Sequence, residues 1–326
     1  MLLPGDGLKK QLRQYQSQWL ADSSLVTRTS QWKSYFTFCR EFGYETTLPA
    51  TLEMVLLYVV HLANRLVYKS IQAYLGAVWI LHDMASVPHI DRDTFELIVT
   101  MRGIKRVLGD VTVQARPATL RDLSQIFGAL DLTDGRDVAF WVAILLGFRG
   151  LLRKSNVLEV GLAVLVSDIR WESWGMTVVV RRTKTISYKE RVLEIPFVPV
   201  RGSMFCVYTF VQLLFSMLDY PGSDSQLVGY MGRGGYTRCS YGWYCKKLSN
   251  LCTVLKLEKM SSHSMRRGGA SLLAEAGVSL IDIKNLGDWK SMSVLYYLSR
   301  TMDSKVILER RIVQDIYVNP GPYMHD

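Results

Sequence analysis

Apolar residues recur at three- and four-residue spacing through most of the first 112 positions. The runs SQWLADSSLVTRTSQWKSYFTFCREFGY, TLEMVLLYVVHLANR and YKSIQAYLGAVWILHDMAS all carry this period, which gathers their apolar side chains on one face of a helix. Pro49 and the DRDT stretch after Ile90 punctuate them, as breakers do between helices. The pattern predicts a compact module of four or five helices over residues 1–112. Tyr68, Lys69, Ser70 and Gln72 open the third run. Basic and amide side chains at a helix start can reach phosphates, although an ordinary solvated helix start has the same composition.

The period is lost in GDVTVQARPATLRDL, which predicts a linker near 110–117 and a fresh helix start at Thr119, just after Pro117. A second domain then covers 113–326. Helical spacing continues to Gly150. It gives way to strand-like segments in LAVLVSDIRWE, GMTVVVRR and RVLEIPF, the last two flanking RTKTISYKE as a hairpin. Beyond Ser203 the helical period returns to about residue 312, with a glycine-rich interruption at GYMGRGGYT. The fold class predicted is therefore mostly α: a helical N-terminal domain and a mainly helical second domain with a small antiparallel sheet. The greasiest runs, VAFWVAILLGF and FCVYTFVQLLFSML, fall short of the roughly 20 residues that span a bilayer. They are expected to be core helices, and no membrane partner is expected.

Composition narrows the class. An apolar share of 49% over 326 residues supports buried cores. The net charge of +10 is uneven, about +2 over residues 1–112 and +8 over 113–326. A basic surface on the second half favours a polyanionic partner. Cys39, Cys206, Cys239, Cys245 and Cys252 are an odd number without CxxC spacing, expected as reduced thiols of an intracellular protein. The five histidines form no HExxH or similar grouping, so neither a metal nor a cofactor is expected. MLLPGDGLKK lacks the apolar core of a signal peptide.

The second domain carries a scattered polar set: Arg153 in GLLRKS, Lys184 in RRTKTISYKE, His263 and Arg266 in HSMRRGGAS, Trp289 in GDWKS and Tyr297 in VLYYLSR. These residue types fit metal-free attack on a phosphodiester. The anion needs fixed positive charge on its non-bridging oxygens, and arginine offers a planar fork that stays charged. A lysine can protonate the departing oxygen. Imidazole titrates near neutrality, and an indole N–H can only donate. A phenol is a poor nucleophile until cations and a base assist it. Each residue also has an ordinary reading: solvated arginine, turn lysine, packed tryptophan. Lys189 competes with Lys184, and Tyr296 with Tyr297. Gly268, Gly269 and Ala270 would let a helix start pack closely and bring backbone N–H groups near a phosphate.

The order and spacing of these residues over about 115–312 resemble those of the tyrosine recombinases, the integrase-type enzymes that cut and rejoin DNA through a phosphotyrosine. HSMRRGG resembles the family's H-x-x-R motif and the helix it starts. Tyr297 stands eight residues after Trp289 and before Leu298 and Arg300, similar to the family's Tyr-aliphatic-x-Arg ending. The resemblance implies Arg153, Lys184, His263, Arg266, Trp289 and Tyr297 as the catalytic set, with Lys184 on a β-hairpin turn. It implies double-stranded DNA as partner, a homotetramer on two sites, and neither metal nor ATP. The location implied is nuclear in a eukaryote and cytoplasmic otherwise. The N-terminal module is similar to the family's core-binding domain in size, class and placement. RTKTISYKERVLEIPF and GDWKS most resemble mobile-element recombinases of the DIRS-like and crypton-like kind. The segment from about Ser304, including VILERRIVQDIYV, alternates apolar residues as a segment docking on a neighbouring subunit would. Many members carry an orienting acidic residue three positions after the first arginine; here it is Asn156. Two other functions share the features: a recombinase-derived protein that only binds DNA, and a type IB topoisomerase-like enzyme.

Overall fold

The computed structural model describes residues 4–110, 115–183, 186, 190–291, 294–295, 309–310 and 313–314. The chain forms two compact units, Met1–Val113 and Gln114–Asp326. No described helix is long and apolar enough to cross a membrane.

The first unit consists of α1 (Pro4–Ser17), α2 (Asp22–Glu41), α3 (Leu52–Ala63), α4 (Tyr68–Ala85) and α5 (Phe95–Leu108). The first long periodic run is broken at residues 18–21, so α1 and α2 are separate helices. Tyr35, Phe38 and Cys39 of α2 meet Met54, Val55, Tyr58 and Leu62 of α3 and Ile71, Val78 and Trp79 of α4 in one core. Polar ties fix the register of these helices: Trp32 Nε1 donates to the Ala77 carbonyl at 2.9 Å. His82, fully buried, bonds the Val78 carbonyl at 2.8 Å through Nδ1 and accepts the Ala50 N–H at 2.9 Å through Nε2. Tyr68, Lys69, Ser70 and Gln72 do open α4, with Lys69 and Gln72 exposed.

The second unit begins with α6 (Leu120–Gly128). Thr119 and Asp122 form a reciprocal capping box there, and Arg116 grips both Asp122 oxygens at 2.8 and 3.0 Å. Such caps satisfy the orphan N–H groups of a helix start. The helix α7 (Gly135–Phe148) is buried on every side from Val138 onward, as its unbroken apolar run requires. Around it lie α8 (Lys154–Leu158), α9 (Val207–Met217), α10 (Tyr241–Val254), α11 (Ser262–Glu275) and α12 (Leu280–Leu286). Strands β1 (Ile169–Glu172), β2 (Gly175–Val180) and β3 (Leu193–Phe197) make an antiparallel sheet in that order. The fold is thus mostly helical with a small antiparallel sheet.

Two segments differ from the sequence reading. GYMGRGGYT is not a break between helices but a second hairpin, β4 (Gly229–Gly232) with β5 (Gly235–Arg238). Gly229 is needed because a Cβ there would stand 2.3 Å from the Tyr236 ring. LAVLVSDIRWE is a strand only from Ile169. Its earlier part is spent on a single bridge, Leu165 to Gln226, and a 3₁₀ turn at Val166–Asp168.

Candidate active site

Arg153 is the N-cap residue of α8, extended in backbone and directly preceded by Leu151 and Leu152. Leu151 is fully buried with φ +51, a left-handed conformation that is unfavourable for a branched side chain. Its carbonyl accepts a short bond from Arg266 Nη1. Arg266 lies one turn into α11 and is only 2% exposed. Its Nη2 donates to the Gly287 carbonyl at 2.5 Å, and its guanidinium lies 3.9 Å from the centre of the Trp289 ring. Trp289 is itself buried, packed with Leu151, Ala270, Ile283 and Val294. A guanidinium over an indole face is attracted by the ring quadrupole.

Arg153 reaches the same corner from the other side. Its Nη2 donates to the Asp288 carbonyl at 3.3 Å, and its Nη1 stands 3.9 Å from the Asp288 carboxylate. The two arginines therefore donate to the adjacent carbonyls of Gly287 and Asp288. Asp288 has φ +53, a conformation that Asp tolerates better than most residues.

His263 stands in the first turn of α11, one turn before Arg266, and keeps an open face to solvent. Partial desolvation lowers its pKa from the usual imidazole range, and the nearby cations Arg266, Lys154, Arg153 and Arg267 lower it further. This concentration of positive charge repels a proton and attracts an anion alike. Lys154 also lies 4.2 Å from the centre of the Tyr241 ring, and the Ser262 hydroxyl donates to the Tyr241 oxygen at 3.4 Å.

The glycines of HSMRRGG act by packing. A Cβ on Gly268 would lie 2.0 Å from the Ala118 carbonyl oxygen, and one on Gly269 would lie 1.9 Å from that of Phe148. Both sit in the interior of α11, where backbone N–H groups serve the helix ladder. They bring Arg266 close to Leu151 rather than offering N–H groups to a phosphate, as the sequence reading expected.

Of the six residues singled out by sequence, Arg153, Arg266 and Trp289 meet around Gly287 and Asp288, and His263 joins them electrostatically. Lys184 and Tyr297 lie outside the described residues, as do their competitors Lys189 and Tyr296. Most of the segment from Ser304 does too. Asn156 is buried, and its Nδ2 donates to the Arg182 carbonyl at 2.5 Å. Asp288 was missed by sequence reasoning, although it stands inside GDWKS. Its carboxylate accepts the Thr183 hydroxyl at 2.5 Å and a short charged bond from Arg191. Among the described residues no group of His, Cys, Asp or Glu is arranged to hold a metal ion.

Over 337 aligned positions the chain is 24% identical to recombinase Cre of Escherichia phage P1, covering 96% of each protein. The chain is thus similar to a site-specific recombinase over almost its whole length. Its fold also matches the Tn1549 transposon integrase solved in complex with a circular intermediate DNA. There the TM-score is 0.61 and the identity 17%, over 93% of this chain and 97% of that one. A lambda integrase dimer bound to a COC′ core site matches with TM-score 0.56 and 15% identity, over 92% and 96% of the two chains. XerH site-specific recombinase bound to a palindromic difH substrate matches with TM-score 0.54 and 11% identity, over 87% and 77%. No protein-family model matches the chain.

Proposed function

We propose that this protein is a tyrosine recombinase that cuts and rejoins DNA at specific sites, with Tyr297 as nucleophile and Arg153, Lys184, His263, Arg266 and Trp289 as its helpers. The observation that carries the reading is the meeting of two arginines on the adjacent carbonyls of Gly287 and Asp288. Two guanidiniums held by backbone oxygens are a fixed positive pair, oriented before any substrate arrives. Arg153 and Arg266 bind the non-bridging oxygens of the scissile phosphate. The Tyr297 oxygen bonds to phosphorus as its proton passes to His263. The bond from phosphorus to the 5′ oxygen breaks, and that oxygen takes a proton from Lys184. The covalent 3′-phosphotyrosyl link keeps the bond energy, so a 5′ hydroxyl of another strand can reverse the step without ATP. His263 suits proton acceptance because its surroundings keep it neutral. Trp289 packs beneath Arg266 and holds its plane.

The net charge of about +8 on residues 113–326 supports double-stranded DNA as substrate, as does the likeness in fold to the Tn1549 integrase solved in complex with DNA. In this reading the first unit is a second DNA-binding body, and four copies assemble on two sites. The finer likeness to DIRS-like and crypton-like elements rests on RTKTISYKERVLEIPF and GDWKS alone.

The test uses a nicked DNA substrate that traps the covalent intermediate. Tyr297→Phe removes the only atom of that side chain able to bond phosphorus while keeping the ring. It should bind DNA and form no adduct that survives denaturant and vanishes on proteolysis. Tyr296→Phe should form the adduct. The reverse pattern would move the nucleophile to Tyr296, and adducts in both variants would refute a phosphotyrosine from this segment.

A further inference from the structure

We infer that Asp288 is a positioning residue that clasps both ends of the segment carrying Lys184 and ties them to Arg153. The inference rests on the recombinase reading above and deepens it.

Asp288 is 5% exposed, and an ionised carboxylate at such a site needs charged or hydrogen-bonding partners. It finds them at two far places in the sequence. The Thr183 hydroxyl donates to Oδ2 at 2.5 Å, Arg191 donates to Oδ1, and Arg153 Nη1 stands 3.9 Å from Oδ2. Thr183 immediately precedes Lys184, and Arg191 closes the same stretch after β2. Thr183 is doubly engaged. Its hydroxyl accepts the Ile186 N–H at 3.0 Å while donating to Asp288. The Thr183 and Ile186 backbones also exchange bonds of 3.3 and 3.2 Å. Ile186 is fully buried. Thr183, Ile186 and Arg191, on either side of Lys184 in sequence, are thus anchored to the corner that holds both arginines.

The chemistry requires such a tie. A proton donor helps only when it lies within hydrogen-bond reach of the departing oxygen. The arginines fix the phosphate, so the general acid must be registered against them. A carboxylate that contacts Arg153 and both flanks of Lys184 supplies that registration. Asparagine replaces it poorly. Its oxygen can serve Arg191 and its amide can bond the Thr183 oxygen, but it loses the charge that Arg191 and Arg153 face.

Asp288→Asn should therefore bind DNA as the unaltered protein does yet form the adduct about 10²-fold more slowly, the loss expected when a general acid is displaced. The deciding measurement replaces the 5′ bridging oxygen of the scissile phosphate with sulfur. A thiol ionises near pH 8.5, roughly, so a thiolate leaves without the proton that an alkoxide needs. On this substrate Asp288→Asn should regain most of the lost rate. Arg191→Gln, whose side chain is about half exposed and whose loss should leave the fold intact, should show the same defect and the same rescue. A slow Asp288→Asn with no rescue by sulfur, or an unslowed rate in both variants, would overturn the assignment. If Asp288→Asn fails to fold, Arg191→Gln alone decides it. Absence of any adduct from the unaltered protein would instead refute the recombinase reading itself.

Discussion

Gly269→Ala adds one methyl group at the closest backbone approach in the site. The new Cβ would stand 1.9 Å from the Phe148 carbonyl oxygen and 2.7 Å from Leu151 Cδ2. The nearer obstacle is backbone and the other is the end of a fully buried leucine side chain, so α11 must retreat by roughly an ångström in a close-packed interior. Overpacking of this kind costs ~1–3 kcal/mol. Retreat also draws Arg266 from the Leu151 carbonyl, and a charged hydrogen bond is worth ~1.5–3 kcal/mol. Alanine returns ~1 kcal/mol through its better helix propensity. The net loss is about 3 kcal/mol, a fall in melting temperature of ~6–12 °C for a unit of this size. An ångström of misplacement at Arg266 should slow adduct formation ~10²-fold. Gly76→Ala in α4 and Gly103→Ala in α5 are the controls, because nothing lies within 4 Å of a Cβ at either position. They should melt at or slightly above the unaltered protein. Calorimetry and single-turnover adduct formation check all three. If Gly269→Ala melts with the controls and reacts at full rate, the contact does not set the position of Arg266.

Two further outcomes follow from the site. If neutral His263 accepts the tyrosine proton, adduct formation rises with pH through its pKa. That value is lowered by partial desolvation and then by Arg266, Lys154, Arg153 and Arg267, so the acid limb of the pH–rate profile lies below the ordinary imidazole value of ~6.5. Lys154→Ala removes one of those cations and should move the limb upward; a limb that stays put or moves down contradicts the assignment. Asn156→Asp, which installs the acidic residue common in the family, should lower stability by roughly 3 kcal/mol, since a buried carboxylate would face the Arg182 and Leu162 carbonyls. Urea titration measures it, and a variant as stable as the parent would show that those carbonyls do not define the site.

The helical bodies were legible because burying one face of a helix leaves a period in the sequence. The strands of the small sheet were legible where alternation coincides with pairing, as in GMTVVVRR. In LAVLV the same alternation serves a loop held by one bridge, and alternation alone cannot tell the two apart. The β4–β5 hairpin was hidden because Gly229 makes room for the Tyr236 ring and Gly235 takes the left-handed turn conformation, and such glycines read locally as a break. That Arg153, Arg266 and Trp289 would come together was expected from the resemblance of their motifs, and they do meet. Their mutual support was not legible, because it depends on backbone carbonyls at Leu151 and Gly287, and any residue has a carbonyl. Asp288 was invisible for a related reason. Its partners, Thr183 and Arg191, lie about a hundred residues away in sequence, and nothing in GDWKS marks that carboxylate as buried.

Asn156 and Asp288 are best understood together. At the position where many relatives carry an orienting acid, this chain presents an amide whose N–H groups face two carbonyls, 2.5 and 3.4 Å away. A carboxylate there would have acceptors opposite acceptors, so the change to asparagine follows from what surrounds it. Arg153 still stands beside a buried carboxylate, but that carboxylate comes from the loop after α12 rather than from α8. Asn156 fixes Arg182 at the end of β2, and Asp288 fixes Thr183 next to it. The two side chains hold consecutive residues, one through a backbone carbonyl and one through a hydroxyl. The departure at Asn156 therefore has a local structural reason. Negative charge is present near Arg153, where it is also bound to Arg191, and the amide makes the two bonds to carbonyls that a carboxylate could not make.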